Sequence, residues 1–275
     1  MKYIPSEESE EINYKTEKHP WLNALILVVG FFGLYFILLI VLGIAGETAA
    51  TSIPARYESS IFSFLDLKMG QKPWPLGQQI ADDIFQRNSI DPVFKPQVFL
   101  SCDPTVNAVA LPGKKIIVFK GLLEDTANLN SLYFILGHEI GHIINRDHLK
   151  SMGRAIAISL GLFFVTVGAD TSSFFSVNQA IVDRRFGQSQ EEASDDRAIG
   201  FTIKRFNGLY TSNEFFDSIQ KTSPDSPKIV SFLNTHPLTQ SRIDKIKNHK
   251  DYNPETTIVE KMDHSQIDCD KPSKD

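Results

Sequence analysis

The sequence predicts an α+β fold, mainly helical, carried behind one N-terminal transmembrane helix. Three observations predict it. From Ala24 to Ala45 the chain reads ALILVVGFFGLYFILLIVLGIA, 22 residues without a charge. Most of the remaining apolar residues recur with helical period. Short β-prone runs occur in one cluster alone, between Gln97 and Phe119.

The elements follow in chain order. Residues 1–21 form a polar, acidic, mobile tail with no helical period. Residues 22–45 form the anchor. A helix rises ~1.5 Å per residue, so the uncharged run covers about 33 Å, enough for a hydrocarbon core. Trp21 stands at its entrance, where an amphipathic ring favours the interface. A cleaved signal peptide is the competing expectation, since Ala45, Ala49 and Ala50 supply small residues. Its apolar region, however, is usually ~7–15 residues behind a short basic start. Here the run follows 23 residues that hold five Glu and three Lys, so a retained anchor is expected. Lys15 and Lys18 precede the span and only Arg56 follows closely. That places the N-terminus on the cytoplasmic side and the main domain outside.

Residues 46–60 read as a connector, 61–250 as the globular domain, and 251–275 as a polar tail that frays. Within the domain, Gly77–Asn88 reads as a helix and Gln97–Cys102 as a strand. Val106–Leu111 and Ile116–Phe119 flank a Pro-Gly turn, hence a hairpin. One long helical pattern runs from Thr126 to His148, and another covers Gln188–Phe206. The apolar run Ala155–Ala169 is short for a span and fits a buried or membrane-dipping helix. A single crossing there would put the histidines before it and the carboxylates after it on opposite sides of a bilayer. Either it does not cross, which is the expectation, or residues near Phe174–Val182 return with it.

Composition narrows the function. Net charge is −5, from 28 Lys and Arg against 33 Asp and Glu. No basic stripe stands out, which excludes nucleic acid as a partner. Two cysteines, Cys102 and Cys269, exclude a disulfide framework and a cysteine-built metal cluster. They can pair in an oxidising compartment, but nothing in the sequence requires it.

The chemistry lies in His138-Glu139-Ile140-Gly141-His142, an HExxH motif. Residues four apart share a helix face, so both imidazoles can bind one zinc. With His138 at 0°, His142 falls at about 40° and Glu139 at about 100°, within reach of a metal-bound water. Leu132, Leu136, Ile140 and Ile143 fall between about 120° and 200°, so the histidines face away from the main core stripe. A catalytic zinc has three protein ligands plus water. Glu191 with Asp195, or Glu192 with Asp196, can supply a third ligand and a carboxylate that orients a ligand histidine. Glu191 and Asp195 are preferred because Ala198 shares their face and lets the two helices approach. His148 lies off the ligand face and reads as structural; His19, His249 and His264 are assigned nothing.

Four blocks, in order, carry a resemblance. They are Asn107–Gly113 with Ile117–Leu123; Leu136–His142 with Arg146 and His148; Glu191–Ala198; and Thr235-His236-Pro237 with Arg242-Ile243. The chain resembles peptidase family M48, gluzincin metalloproteases that include the CAAX prenyl protease and the HtpX heat-shock protease. It is most similar to the smaller members with a periplasmic or mitochondrial intermembrane-facing domain. Ser194 and a second acid at Asp196 depart from the family pattern and leave the register of the third ligand open.

The resemblance implies a zincin-like domain holding one Zn2+ per chain. It implies His138, His142 and Glu191 as ligands, Glu139 as catalytic base and Asp195 behind a ligand. It also brings the His-Pro loop near the site, so that His236 would bind an oxyanion or occupy the open metal position. Arg242 would brace that loop or pair with a carboxylate. Asn107, Ala108, Val109 and Ala110 can offer a sheet edge on which an extended peptide adds as a strand. The expected function is a membrane-anchored zinc metalloendopeptidase acting on unfolded, misfolded or membrane-associated proteins, with its domain on the periplasmic side of a bacterial inner membrane. The alternative is a chaperone-like binding module whose zinc site is latent or vestigial.

Overall fold

The computed structural model describes residues 20–63, 71–165, 186–221 and 227–269. The chain divides into two units, residues 1–41 and residues 42–275. The described part of the first belongs to helix α1 (Pro20–Thr51), which continues into the second. Among the described residues α1 is the one helix long and apolar enough to cross a membrane, and its most apolar stretch is wholly unburied. Leu27, Phe31 and Leu34 stand exposed on it. Of the tail expected at 1–21, residues 1–19 lie outside the described residues, and Pro20 and Trp21 already belong to α1.

The second unit continues with α2 (Ala55–Ile61), β1 (Gln71–Pro73), α3 (Pro75–Asn88), β2 (Gln97–Ser101), β3 (Ala108–Leu111) and β4 (Lys115–Phe119). After these come α4 (Lys120–Glu124), α5 (Leu129–Asn145), α6 (Asp147–Val165), α7 (Gln188–Phe206), α8 (Glu214–Lys221), α9 (Pro227–Thr235) and α10 (Gln240–Lys247). A small sheet among many helices is the α+β, mainly helical arrangement the sequence predicts.

The sheet has the order β1-β2-β4-β3. β3 and β4 form the expected hairpin, pairing Ala108 with Val118 and Leu111 with Lys115. Its turn needs left-handed backbone at Gly113 (φ 86) and Lys114 (φ 61), which glycine adopts freely. β2 runs parallel to β4, pairing Gln97 with Lys115 and Ser101 with Phe119. Val109 and Ile117 face one core cluster, whereas Ala108, Ala110, Ile116 and Val118 face the other, so these strands are apolar on both sides.

The main core joins α3, α5 and α7 to the sheet. α5 and α7 approach closely through small residues: a Cβ on Gly137 would lie 3.4 Å from the Ala198 Cα, and one on Gly141 would lie 3.0 Å from the Ser194 Cα. The contact expected of Ala198 is therefore present, and Gly141 inside the motif shares in it.

Two expectations change. The helical pattern from Thr126 to His148 is two helices, because Arg146 takes a left-handed conformation (φ 59) and caps α5 through its N–H on the Ile143 carbonyl at 3.0 Å. Helical period continues on both sides of Arg146, so the pattern alone does not reveal the joint. The C-terminal stretch, expected to fray, is docked over residues 251–269. Leu129 N–H donates to the Glu260 carbonyl at 2.8 Å, Met262 N–H to Ala127 at 3.0 Å and Ile258 N–H to Phe206 at 2.7 Å. Met262 joins the main core, Tyr252 and Ile267 pack against it, and backbone pairing holds the largely polar residues between them. A Cys102–Cys269 disulfide closes it onto the end of β2.

In the second apolar run, α6 is described as far as Val165; residues 166–169 and the return considered near 174–182 lie outside the described residues. Arg154, Ile156 and Ser159 are exposed, so this part of α6 is not the wholly buried core helix that was one of the two expectations.

Candidate metal centre

α5 presents His138, Glu139 and His142, α7 presents Glu191, Ser194 and Asp195, and the residue after α9 is His236. All seven are buried. His138 Nε2 lies 3.0 Å from His142 Nε2 and 3.4 Å from His236 Nδ1. Glu191 Oε1 lies 3.3 Å from His142 Nε2 and 3.1 Å from His236 Nδ1, and Oε2 lies 3.5 Å from His138 Nε2. One donor atom from each of these four residues falls within 4.8 Å of every other.

These spacings fit a metal. Donors ~2.0–2.1 Å from one tetrahedral ion stand about 3.3 Å from each other. Glu139 fits the remaining role: both its oxygens are buried without a hydrogen bond among the described residues, and Oε1 is 3.4 Å from His236 Nε2. An unsatisfied carboxylate at zero exposure is costly in a protein interior, and a cation with its water would relieve the cost.

Behind the donors stands a second layer of charge. His138 Nδ1 lies 2.9 Å from Asp195 Oδ1, and His142 Nδ1 lies 3.0 Å from Asp147 Oδ2. When each Nδ1–H donates outward to its carboxylate, each Nε2 lone pair points into the cluster. Arg242 donates from Nε to Asp195 Oδ2 at 2.6 Å and from Nη2 to Oδ1 at 2.8 Å, and its Nη1 lies 2.6 Å from Glu191 Oε2.

The titrations follow from these contacts. For Asp195, burial raises the carboxyl pKa, but the Arg242 hydrogen bond and the His138 contacts outweigh it and hold the group below its ordinary value. For Asp147, burial is likewise outweighed, by His142 and then Lys150. Among protein groups alone, burial pushes the His138 imidazolium down, yet Glu191 and Asp195 raise it to about 10. Burial would raise Glu191, but the charges of His236 and His138 keep it well below the carboxylate range. His138, His142 and Glu191 would hold a cation here, and binding it would require the loss of a proton from His138.

The cluster brings together His138, Glu139, His142, Glu191, Asp195, His236 and Arg242. The alternative pair lies outside it: Glu192 accepts from the Gln188 side chain at 2.9 Å, and Asp196 pairs with Lys245 at 2.6 Å. Asn107–Ala110 are not in the cluster either. β3 is the edge of the described sheet, but these residues are all buried, and Asn107 Nδ2 donates to Ser231 Oγ of α9 at 2.9 Å.

Three members went unnoticed in the sequence. Asp147 hides behind the helix break at Arg146. The Ser194 hydroxyl lies 3.0 Å from His142 Nδ1, although it had registered only as a departure from pattern. Phe186 stacks on the His142 ring, with centroids 4.0 Å apart and planes 14° apart, and its N–H donates to the Thr235 carbonyl at 3.2 Å. No periodicity marks Phe186.

Residues 77–250 match the family model of peptidase family M48. The chain belongs to that family. Among curated relatives, the mitochondrial metalloendopeptidase OMA1 of Schizosaccharomyces pombe is 26% identical over 148 residues, covering 53% of this chain and 44% of its own length. The Bos taurus mitochondrial metalloendopeptidase OMA1 is 25% identical over 158 residues, covering 52% of this chain and 30% of its own length. The metalloprotease YcaL of Escherichia coli K12 is 24% identical over 157 residues, covering 55% of this chain and 60% of its own length. The match thus spans less than half the length of both mitochondrial relatives. The M48 match contains the whole HExxH helix, Glu191, Asp195, His236 and Arg242.

Proposed function

We propose that this protein is a membrane-anchored zinc metalloendopeptidase. His138, His142 and Glu191 are the metal ligands, Glu139 is the base, and Asp195 orients His138. The observation that carries the reading is the convergence of the donor atoms of His138, His142 and Glu191 beside a buried Glu139 carboxylate without a hydrogen bond. Zinc suits imidazole and carboxylate donors at this spacing, and when bound it supplies Lewis acidity toward a water and the scissile carbonyl. Glu139 accepts the water's proton on a carboxylate oxygen and delivers it to the leaving amine. Asp195 and Asp147 hold their histidines in the tautomer that presents Nε2. β3 offers main-chain groups to an extended substrate once whatever buries its edge gives way, a mode that reads little side-chain identity and suits unfolded or membrane-associated clients.

A second reading concerns the resting state. The His236 Nδ1 sits among the donors, the site is buried throughout, and Phe186 covers His142. This favours a latent form in which His236 is a fourth ligand, and it moves aside to stabilise the oxyanion during turnover. A zinc-loaded chaperone-like module without cleavage is the outcome this reading must exclude.

The Cys102–Cys269 disulfide supports an oxidising, extracytoplasmic location for the domain. It agrees in direction with Lys15 and Lys18 on the other side of the anchor. Zinc content and cleavage of an unfolded casein, compared between the wild type and Glu139→Gln, test the function. The variant is expected to keep its zinc and lose ~10²–10⁴-fold in rate. Unchanged turnover removes Glu139 as base, and absence of stoichiometric zinc from the wild type removes the whole reading.

A further inference from the structure

Glu58, on the juxtamembrane helix α2, is a buried carboxylate outside the metal cluster. Its Oε1 accepts from His148 Nε2 at 2.7 Å and from the Gly113 N–H at 3.1 Å, and its Oε2 lies 3.4 Å from Arg146 Nη2. Arg146 also donates from Nη1 to the carbonyl of Thr51, the last residue of α1, at 2.7 Å. Both residues that flank Asp147 are thus tied to the segment that leaves the anchor, and Asp147 itself contacts the metal-ligand candidate His142.

The geometry of the joint gives this arrangement a consequence for the metal. On an uninterrupted helix, Asp147 would lie five residues past His142 and about 140° round the axis, out of reach of its ring. The left-handed residue Arg146 ends α5 and starts α6 at Asp147, and this brings Asp147 Oδ2 to 3.0 Å from His142 Nδ1. Left-handed backbone is disfavoured for a residue with a side chain, so contacts elsewhere must hold it. The four polar residues Asn145–His148 supply no apolar contact of their own at the joint. Glu58 grips the joint from both sides.

α6 is fixed to the end of α1 as well. A Cβ on Gly46 would collide with the Gly153 carbonyl, one on Gly153 would collide with the Gly46 carbonyl, and Arg154 pairs with Glu47. The start of α6 therefore has little freedom to seek another place.

We propose that Glu58 is a positioning residue for the metal ligand His142, acting through the Arg146-Asp147-His148 joint, so that the juxtamembrane segment sets the geometry of the metal centre. The proposal rests on the zinc reading above. The test uses the full chain in detergent, comparing the wild type, Glu58→Gln, Asp147→Asn and the double variant. Zinc affinity is measured by competition with a chelator, and the ligand field by the visible spectrum of the cobalt-substituted protein. Losing an orienting contact behind a metal ligand typically costs 10–100-fold in metal affinity. Glu58→Gln is expected near the lower end, about tenfold, with a shifted cobalt spectrum, a lower kcat and an unchanged KM. In the Asp147→Asn background the same change is expected to cost less than about twofold, because residues acting through one path are not additive.

Wild-type affinity and spectrum in Glu58→Gln overturn the proposal, and so do losses that multiply in the double variant. A purely structural role would lower the melting temperature and leave the cobalt spectrum of the folded protein unmoved. Should Glu58→Gln fail to fold, His148→Gln removes the same hydrogen bond from the other partner and is judged by the same criteria. A wild type that binds no zinc sinks the metallopeptidase reading itself, whereas a zinc-binding wild type with an indifferent Glu58 sinks this inference alone.

Discussion

The two histidines of the motif are held in different ways. His138 leans on Asp195, and Asp195 is gripped in turn through both its oxygens by one edge of the Arg242 guanidinium. Asp195 and Arg242 are 1% and 2% exposed, and Arg242 also reaches Glu191 and the Pro237 carbonyl. His142 leans on Asp147, whose other partners are Lys150 at 3.0 Å and Gln190 at 3.1 Å, both only partly buried. One side of the centre is a dry ion-pair network inside the domain. The other is a helix joint tied to the end of α1. Stability is concentrated on the His138 side, and sensitivity to the juxtamembrane segment on the His142 side.

The largest expected effect tests the dry side. Arg242→Ala leaves Asp195 and Glu191 without their shared cation in the interior. Breaking a buried pair by removing one partner typically costs ~3–5 kcal/mol. Denaturant unfolding of the zinc-free protein is expected to show a loss of that size. Zinc should restore part of it by re-supplying positive charge. A loss below about 1 kcal/mol would erase the contrast between the two sides, because that is the range of an exposed pair.

Asp195→Asn and Asp147→Asn compare the sides directly. Each removes the anionic acceptor behind one histidine, and metal affinity should fall ~10–100-fold in both. Asp195→Asn belongs at the upper end, since it also leaves Arg242 incompletely paired. Asp147→Asn belongs near ten. A chelator competition that returns the reverse order would place the rigid support on the anchor side.

Acid and base then act on different groups. Glu58, Asp147 and Asp195 all have folded pKa values below their ordinary ones: in each case burial raises the value and the ion-pair and hydrogen-bond partners outweigh it. Their contribution is complete above the ordinary values of 4.5 and 3.8 and is lost as the pH falls through the lower folded ones. His138 is opposite in sign. In the zinc-free protein it is raised from 6.5 to about 10, so its contribution is full below 6.5 and is lost as the pH rises toward 10. If zinc is the metal, as proposed, it would have to expel that proton, and its affinity should climb up to ~10-fold per pH unit over this window, by one-proton linkage. Competition titrations at several pH values check this. A flat profile above neutrality would mean that His138 is neutral before the metal arrives.

How much of this was legible in the sequence depends on how local the cause is. HExxH, its apolar stripe and the Glu191–Asp195 pair are features of helix period, and period survives in the one-dimensional pattern. So does the β3–β4 hairpin, because Pro112-Gly113 demands a turn. Asp147 was not legible, since the four polar residues Asn145–His148 carry no period that would mark a break, and the contacts at the break come from Glu58 and Thr51, far away in the chain. The docked residues 251–269 were not legible because their apolar anchors, Tyr252, Met262 and Ile267, are too scattered to show a period, and backbone hydrogen bonds leave no trace in side-chain composition. The pairing of Cys102 with Cys269 spans 167 residues and could be noted only as a possibility.

The smallest expected effect bears on the register that sequence left open. Glu192 and Asp196 repeat the spacing of Glu191 and Asp195 one residue on, which turns them about 100° round α7. That rotation takes them off the α5 contact. Glu192 is partly exposed and Asp196 exposed, and their partners are Gln188 and Lys245 at the surface. An ion pair of this exposure contributes ~0–1 kcal/mol. Glu192→Gln and Asp196→Asn should therefore leave zinc affinity and casein cleavage within about twofold of the wild type, the range of changes at a solvated face. Glu191→Gln, by contrast, removes the proposed ligand carboxylate and should abolish stoichiometric zinc. If Glu192→Gln were the variant that lost the metal, α7 would be rotated by one residue in the zinc-bound protein. Asp195 would then no longer face His138, and the dry side of the comparison would have to be rebuilt around Asp196.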